Sequence, residues 1–370
     1  MDVSKKKIAI IGSRGYPVVY SGYETLVTHL CHHLKDDFDI TVYCHGHLFN
    51  EKPNEVNGIR LVYTQGKQGK TMAQLSNSFA AFNHARKNNF DVIFVVNAAN
   101  GVFGFFKYFC NSRFIINVDG LEWLRPKWKG LGAKFFKFSA WLACKWYHTI
   151  VTDADAMKEI YLREFKRDSQ VIEYGANIPI SISNKGLEDW GLTQEGYFLI
   201  VGRLIPDNNS DLILEAFINS NSDKKLVIVG DVPYEDEYAN KVKALASKDE
   251  RVIMTGYVTD QEILQALYQN CYYYFHGHEF GGTNPTILKA LAYNCPILAI
   301  DTVFSAEVLD NYSCGIPFLK DITALSKMID EISQYDSKRE ELKKSGILRI
   351  QQRYTWERIA LMYSHLFNNR

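Results

Sequence analysis

Short runs of β-branched and aromatic residues alternate with helix-spaced segments twice along this chain, and that alternation restricts the fold more than any other feature. In the first half the runs are Ile8–Ile11, Asp39–Cys44, Ile59–Tyr63, Val92–Val96, Phe114–Val118, Thr149–Thr152 and Gln170–Glu173. Between them Leu26, Leu30 and Leu34 fall four apart, on one helical face. Strands joined by helical crossovers lie parallel, with both sheet faces covered. Phe38–Ile40 and Ile59 onward are expected to pair near one edge. A polar, strand-poor stretch from Asn177 to Gly196, with Pro179, Ser181, Ser183, Asn184, Gly186 and Gly191, reads as a linker. The pattern then restarts with Tyr197–Val201, Leu226–Val229, Val252–Thr255, Tyr272–Phe275, Ile297–Ile300 and Ile316–Phe318. Two α/β domains in series are therefore predicted. A last helix carries Trp356, Ile359, Ala360, Tyr363 and Phe367 as an apolar stripe.

The 370 residues suit two cores rather than one. Apolar residues make up 46% and charged residues 23%, an ordinary soluble balance, and the formal net charge of zero gives no field favouring nucleic acid. Seven scattered cysteines without a C-x-x-C pair fit reduced thiols of a cytoplasmic protein, not a disulfide framework or a zinc site. Met1 to Lys7 is charged and lacks a signal-peptide core, and no apolar run reaches the about 18–20 residues of a membrane span.

Ligands of open parallel sheets sit beyond the carboxyl ends of the strands. After the first strand come Gly12-Ser13-Arg14-Gly15 and then Ser21-Gly22-Tyr23-Glu24, where a helix begins. These glycines suit either a tight turn or the approach of backbone amides to a phosphate. The spacing is not G-x-G-x-x-G, and no acidic residue follows strand two cleanly, which argues against a nicotinamide cofactor. In the second half, His276-Gly277-His278-Glu279-Phe280-Gly281-Gly282-Thr283-Asn284-Pro285 precedes a helix. Thr283 or Asn284 can cap it and Pro285 fits its first turn. Gly281 and Gly282 leave the amides open to a pyrophosphate. Arg203, in Val201-Gly202-Arg203, should lie on the same sheet edge, able to neutralise a leaving diphosphate. In the first half, Asp119-Gly120-Leu121-Glu122-Trp123-Leu124-Arg125-Pro126-Lys127-Trp128 follows a strand. That mix suits a sugar site, with aromatic faces to stack and carboxylates to accept hydroxyl protons; an ordinary loop with its tryptophans in the core is the alternative.

Asp119-Gly120-Leu121-Glu122-Trp123, Arg125-x-Lys127-Trp128, Tyr174-Gly175-Ala176, Val201-Gly202-Arg203-Leu204 with Pro206-Asp207-Asn208-Asn209, and Gly281-Gly282-Thr283-Asn284-Pro285 resemble the bacterial rhamnosyltransferase branch of glycosyltransferase family 4. Ile8 to Gly15 and Gly22-Tyr23-Glu24-Thr25 are similar to it too, so the likeness covers nearly the whole chain. It implies an α/β GT-B fold: two Rossmann-like domains with parallel sheets facing across a cleft. The expected bounds are 1–180 for the acceptor domain, 195–345 for the donor domain and 350–370 for a helix crossing back to the first. It also implies a retaining, metal-independent transfer without a cofactor. The donor would be dTDP-L-rhamnose, and the acceptor a sugar on a polyprenyl diphosphate at the inner membrane face, in surface-polysaccharide synthesis. Asp119 and Arg203 would carry catalysis. Donor contacts would be Gly15, Gly22, Arg203, Asn208, Glu279, Gly281, Gly282, Thr283, Asn284 and Lys289, and acceptor contacts Asp119, Glu122, Trp123 and Arg125.

Two departures stand out. Asn208 holds the place where the wider family has a diphosphate-binding lysine, as is usual in this branch. Lys289 stands where the branch has a glutamate that accepts hydrogen bonds from the donor ribose, and a lysine cannot accept them. Glu279 is near in sequence but not at the matching position. A UDP- or GDP-sugar donor, a sugar-nucleotide epimerase and a non-catalytic donor-binding homologue are the remaining readings. Lys129 to Tyr147 places Lys129, Lys134, Lys137 and Lys145 among Leu131, Phe135, Phe136, Phe138, Trp141 and Leu142. This helix either faces the core with solvated lysines or lies peripherally on an anionic bilayer.

Overall fold

Val92–Val96, five β-branched or aromatic residues in a row, is buried along its whole length inside a parallel sheet. Such continuous apolar runs are what strands covered on both faces require. In chain order the strands around it are β1 (Lys6–Ile11), β2 (Phe38–His45), β3 (Glu55–Val56), β4 (Ile59–Thr64), β5 (Val92–Val96), β6 (Arg113–Asn117), β7 (Thr149–Thr152) and β8 (Gln170–Val171). Their order in the sheet is β3-β4-β2-β1-β5-β6-β7-β8. All neighbours are parallel except the hairpin β3–β4. Thr41 sits opposite Arg60, so β2 and β4 pair near the edge as expected. The short β3 was not anticipated, although Asn57 (φ 54°) and Gly58 (φ 81°) form the two-residue turn that signals a hairpin. β8 is shorter than Gln170–Glu173.

The computed structural model describes residues 5–17, 22–67, 72–125, 128, 130–232 and 235–369. Ser21, Pro126, Lys127 and Lys129, named above, lie outside them. Two compact units emerge: Met1–Tyr174 with Trp356–Arg370, and Gly175–Thr355. In the second unit β9 (Tyr197–Val201), β10 (Lys225–Val229), β11 (Val252–Gly256), β12 (Tyr274–His276), β13 (Ile297–Ile300) and β14 (Ile316–Phe318) pair in parallel, in the order β11-β10-β9-β12-β13-β14. β12 starts two residues later than the aromatic run Tyr272–Phe275 suggests. Residues 177–196 do not connect the units but belong to the second. There Ser183 N donates to Gln269 Oε1 (2.9 Å) and Asn270 Nδ2 donates to Ser183 O (2.9 Å). Composition alone does not separate a hydrogen-bonded polar strap from a linker.

The closing helix Trp356–Asn368 packs in the first unit. Tyr363 meets Phe94 edge-on at 5.2 Å, Phe367 meets Phe38 at 5.8 Å, and His29 stacks on Trp356 at 4.1 Å. Asn117 Nδ2 donates to Tyr363 Oη (3.0 Å) and Arg113 Nη1 to Leu366 O (2.8 Å), tying the helix to β6. All seven cysteines are free thiols. No helix among the described residues is long and apolar enough to cross a membrane.

Candidate functional site

In the first unit the carboxyl ends of β6, β7 and β8 bring Asp119, Asp153 and Tyr174 together. Asp119 Oδ2 accepts a hydrogen bond from Tyr174 Oη at 2.6 Å, its carbonyl accepts from Tyr23 Oη at 2.8 Å, and its amide donates to Asn117 Oδ1 at 3.1 Å. Asp153, which is fully buried, faces the same carboxyl. Burial raises the Asp119 carboxyl above the ordinary carboxylate range; the Tyr174 hydroxyl, Arg125 and Asp153 oppose that shift, and Glu122 adds to it. Tyr23 and Tyr174 are held well above the ordinary phenol range, by burial first and by Asp119 second. Glu122 pairs with Arg125 Nη1 at 3.1 Å and accepts from Trp128 Nε1 at 2.7 Å.

Trp123 is a correction to the sugar-stacking expectation. Its indole is only 8% exposed and lies edge-on to Tyr161 (6.0 Å) and Phe165 (5.7 Å), so it packs the core. Gly15 is required by packing: a Cβ there, at φ 146°, would lie 2.5 Å from the Phe49 ring. Gly22 opens the helix Gly22–Leu34, and Glu24 on its first turn accepts from Arg14 N at 2.8 Å. Sequence reasoning missed Asp153 and Tyr23 as partners of Asp119. The available signal was position, since Asp153 directly follows the run Thr149–Thr152.

In the second unit the turn after β9 and the loop after β12 lock together. Asn208 Nδ2 donates to Arg203 O (2.8 Å), and His278 Nδ1 lies 2.9 Å from Asn208 Oδ1. Asn209 Nδ2 donates to Gly277 O at 2.8 Å. The backbones approach so closely that a Cβ at Gly277 would stand 2.3 Å from Asn208 O. Asn208 thus braces the turn that presents Arg203. The Arg203 side chain is exposed and makes no ion pair among the described residues. Glu279 is engaged in an ion pair with Lys320. After Gly281, Gly282 and Thr283, Asn284 caps the helix Pro285–Ala292, its Oδ1 accepting from Thr286 N at 2.9 Å. Asn284 is the cap, with Pro285 at the first helical position, and the first-turn amides carry the positive end of the helix dipole. Below them His276 is pushed down to about 3 by burial, so its ring is neutral. Lys289 is half-buried one turn into the helix and donates to Gln261 Oε1 at 3.2 Å; burial lowers its ammonium below the ordinary lysine range. An exposed guanidinium on a turn tied to the loop that leads into a capped helix N-terminus is suited to binding a diphosphate.

A family model described as glycosyl transferases group 1 matches residues 187–349, the part that holds this arrangement. A model described as a domain of unknown function, DUF1972, matches residues 5–177. The N-acetylgalactosamine-N,N'-diacetylbacillosaminyl-diphospho-undecaprenol 4-alpha-N-acetylgalactosaminyltransferase of Campylobacter jejuni is 29% identical over 129 residues, 35% of this chain and 34% of that protein. The match therefore spans about a third of the curated relative. Among solved structures, sucrose-phosphate synthase from Thermosynechococcus elongatus superposes with a TM-score of 0.85 at 17% identity, covering 98% of both chains. Anabaena HepE in complex with UDP and glucose gives 0.78 at 15% identity, covering 98% of this chain and 99% of that one. WaaG, a glycosyltransferase of lipopolysaccharide biosynthesis, gives 0.73 at 12% identity, covering 98% of this chain and 100% of that one. The two units have the GT-B fold.

Proposed function

We propose that this chain is a glycosyltransferase that moves a sugar from a nucleoside diphosphate donor to a sugar carried on a lipid diphosphate. The observation that carries this reading is the exposed Arg203 on a turn that Asn208 ties to the loop leading into the capped helix, within the residues that match the group 1 model. The guanidinium and the first-turn amides stabilise the diphosphate as the glycosidic bond breaks. The acceptor hydroxyl attacks the same face, the departing phosphate takes its proton, and no divalent metal or other cofactor takes part. Asp119, held by Tyr174 and Asp153, orients the acceptor. The lipid-linked acceptor is supported by the Campylobacter relative, which is named for a diphospho-undecaprenol-linked sugar.

The sugar is the finer part of the proposal. The resemblance favours dTDP-L-rhamnose, whereas relatives of the same fold hold UDP. Lys289 keeps a second reading open, donor binding without turnover, because a cation replaces the family carboxylate. A thermal-shift panel of dTDP, dTDP-L-rhamnose, UDP, UDP-sugars, GDP-sugars and NAD separates them. Saturation at about a hundred times Kd adds roughly 2.7 kcal/mol. A selective dTDP response, followed by rhamnose transfer to a lipid-linked acceptor in the presence of EDTA, is the expected result. A UDP or GDP response reassigns the donor, and silence from a folded protein overturns the donor-site assignment.

A further inference from the structure

The helix Leu131–Trp146 is buried on one side only. Phe136, Ser139, Ala140 and Ala143 face inward, whereas Leu131, Phe138 and Trp141 are 84%, 53% and 42% exposed. Leu131, Lys134, Phe138, Trp141 and Lys145 recur at steps of three and four residues and so form one outward stripe. Phe138 stacks on Trp141 at 5.8 Å, and Lys145 Nζ lies 5.9 Å from the Trp141 ring centre. The fold adds a neighbour that spacing could not supply. The 3-10 helix Ala98–Phe109 ends in Lys107, Tyr108 (69% exposed) and Phe109 (59%). Phe105 joins the two surfaces, meeting Trp146 at 6.0 Å and Phe109 at 6.4 Å. Neither helix contains an aspartate or glutamate.

We propose that this aromatic and lysine-bearing face docks on an anionic lipid bilayer. Tryptophan and tyrosine rings settle at headgroup level while lysine stems extend their charge toward lipid phosphates. Lys137 is paired with Glu164 at 3.0 Å; Lys107, Lys134 and Lys145 have no carboxylate partner among the described residues. A second copy of the chain fits less well, because a two-fold contact would set lysines against lysines, and the cores of protein interfaces are poor in lysine. The inference goes beyond the proposed reaction, since exposure and charge carry it without any reference to donor or acceptor.

Flotation of the full chain without nucleotide tests it, using vesicles of phosphatidylcholine alone or mixed with phosphatidylglycerol. The chain is expected to float with the mixed vesicles, less with the neutral ones, and to be released by salt. Lys134→Gln/Lys145→Gln should weaken partitioning about fivefold for each lysine removed. Phe138→Ser/Trp141→Ser should abolish flotation while keeping the nucleotide-induced thermal shift. If the aromatic pair unfolds the protein, the lysine pair, wholly at the surface, decides alone. Wild-type protein that stays at the bottom of the gradient overturns the proposal, as do lysine variants that float like wild type. A dimer that dissociates in Trp141→Ser, with no flotation, assigns the face to a second copy instead.

Discussion

A carboxyl group taken out of water holds its proton more readily than an exposed one, and Asp119 is in that position. Its folded pKa is raised above the ordinary value of about 3.9, so the native state keeps a proton that the unfolded chain has lost. This contribution to stability is complete below the unfolded value and is lost as pH rises through the folded one. The amide introduced by Asp119→Asn would still accept from Tyr174 but could not titrate. Urea midpoints of wild type should therefore fall relative to Asp119→Asn as pH rises from about 4 upward; a constant gap between the two curves would dispose of the shift. Arg203→Ala should lower kcat by about a hundredfold to a thousandfold, the scale of losing one preorganised charge donor, and near-wild-type turnover would remove Arg203 from the chemistry. At this scale the residues that follow strands were readable from sequence: Asp119 and Arg203 do stand at strand ends. Their supports were not. Asp153 looks like any polar residue before a helix until the fold sets it against Asp119, and Trp123 has the same letters around it whether its ring faces a sugar or Tyr161.

Among the elements, the helix Pro285–Ala292 joins stability to binding through one side chain. Asn284→Ala removes the acceptor for Thr286 N and should cost about 1 kcal/mol of unfolding free energy, read as a lower urea midpoint. The nucleotide thermal shift should shrink as well, because the first turn frays at the proposed diphosphate site; an unchanged midpoint would show that Pro285 alone sets the helix start. The strands were the most legible elements. Val92–Val96, Tyr197–Val201 and Ile297–Ile300 coincide with apolar runs because buried parallel strands have no polar face to interrupt them. Tyr272 and Tyr273 share that composition but precede β12, since aromatic residues also fill cores outside ladders. The outward stripe of Leu131–Trp146 was not readable, because periodicity identifies a helix face without saying what covers it.

For the molecule as a whole, the first unit is written in two pieces, with the entire second unit between them. Ending the chain at Thr355 would strip Trp356, Tyr363 and Phe367 from the first core. Losing a buried aromatic side chain costs about 3–5 kcal/mol, and a whole domain holds only about 5–15. Limited proteolysis of that truncated chain should digest the first unit and spare fragments of the second; a resistant first unit would show the closing helix to be dispensable. The same split sets an order of events at birth. β1 is synthesised long before its unit can close, because Trp356–Asn368 follows the last residue of the second unit. At roughly 5–20 residues per second, the open sheet would wait about 10–40 seconds after β8 for that helix to be complete. The half translated first is thus the half completed last, and until then its unclosed sheet is the surface a chaperone would have to guard.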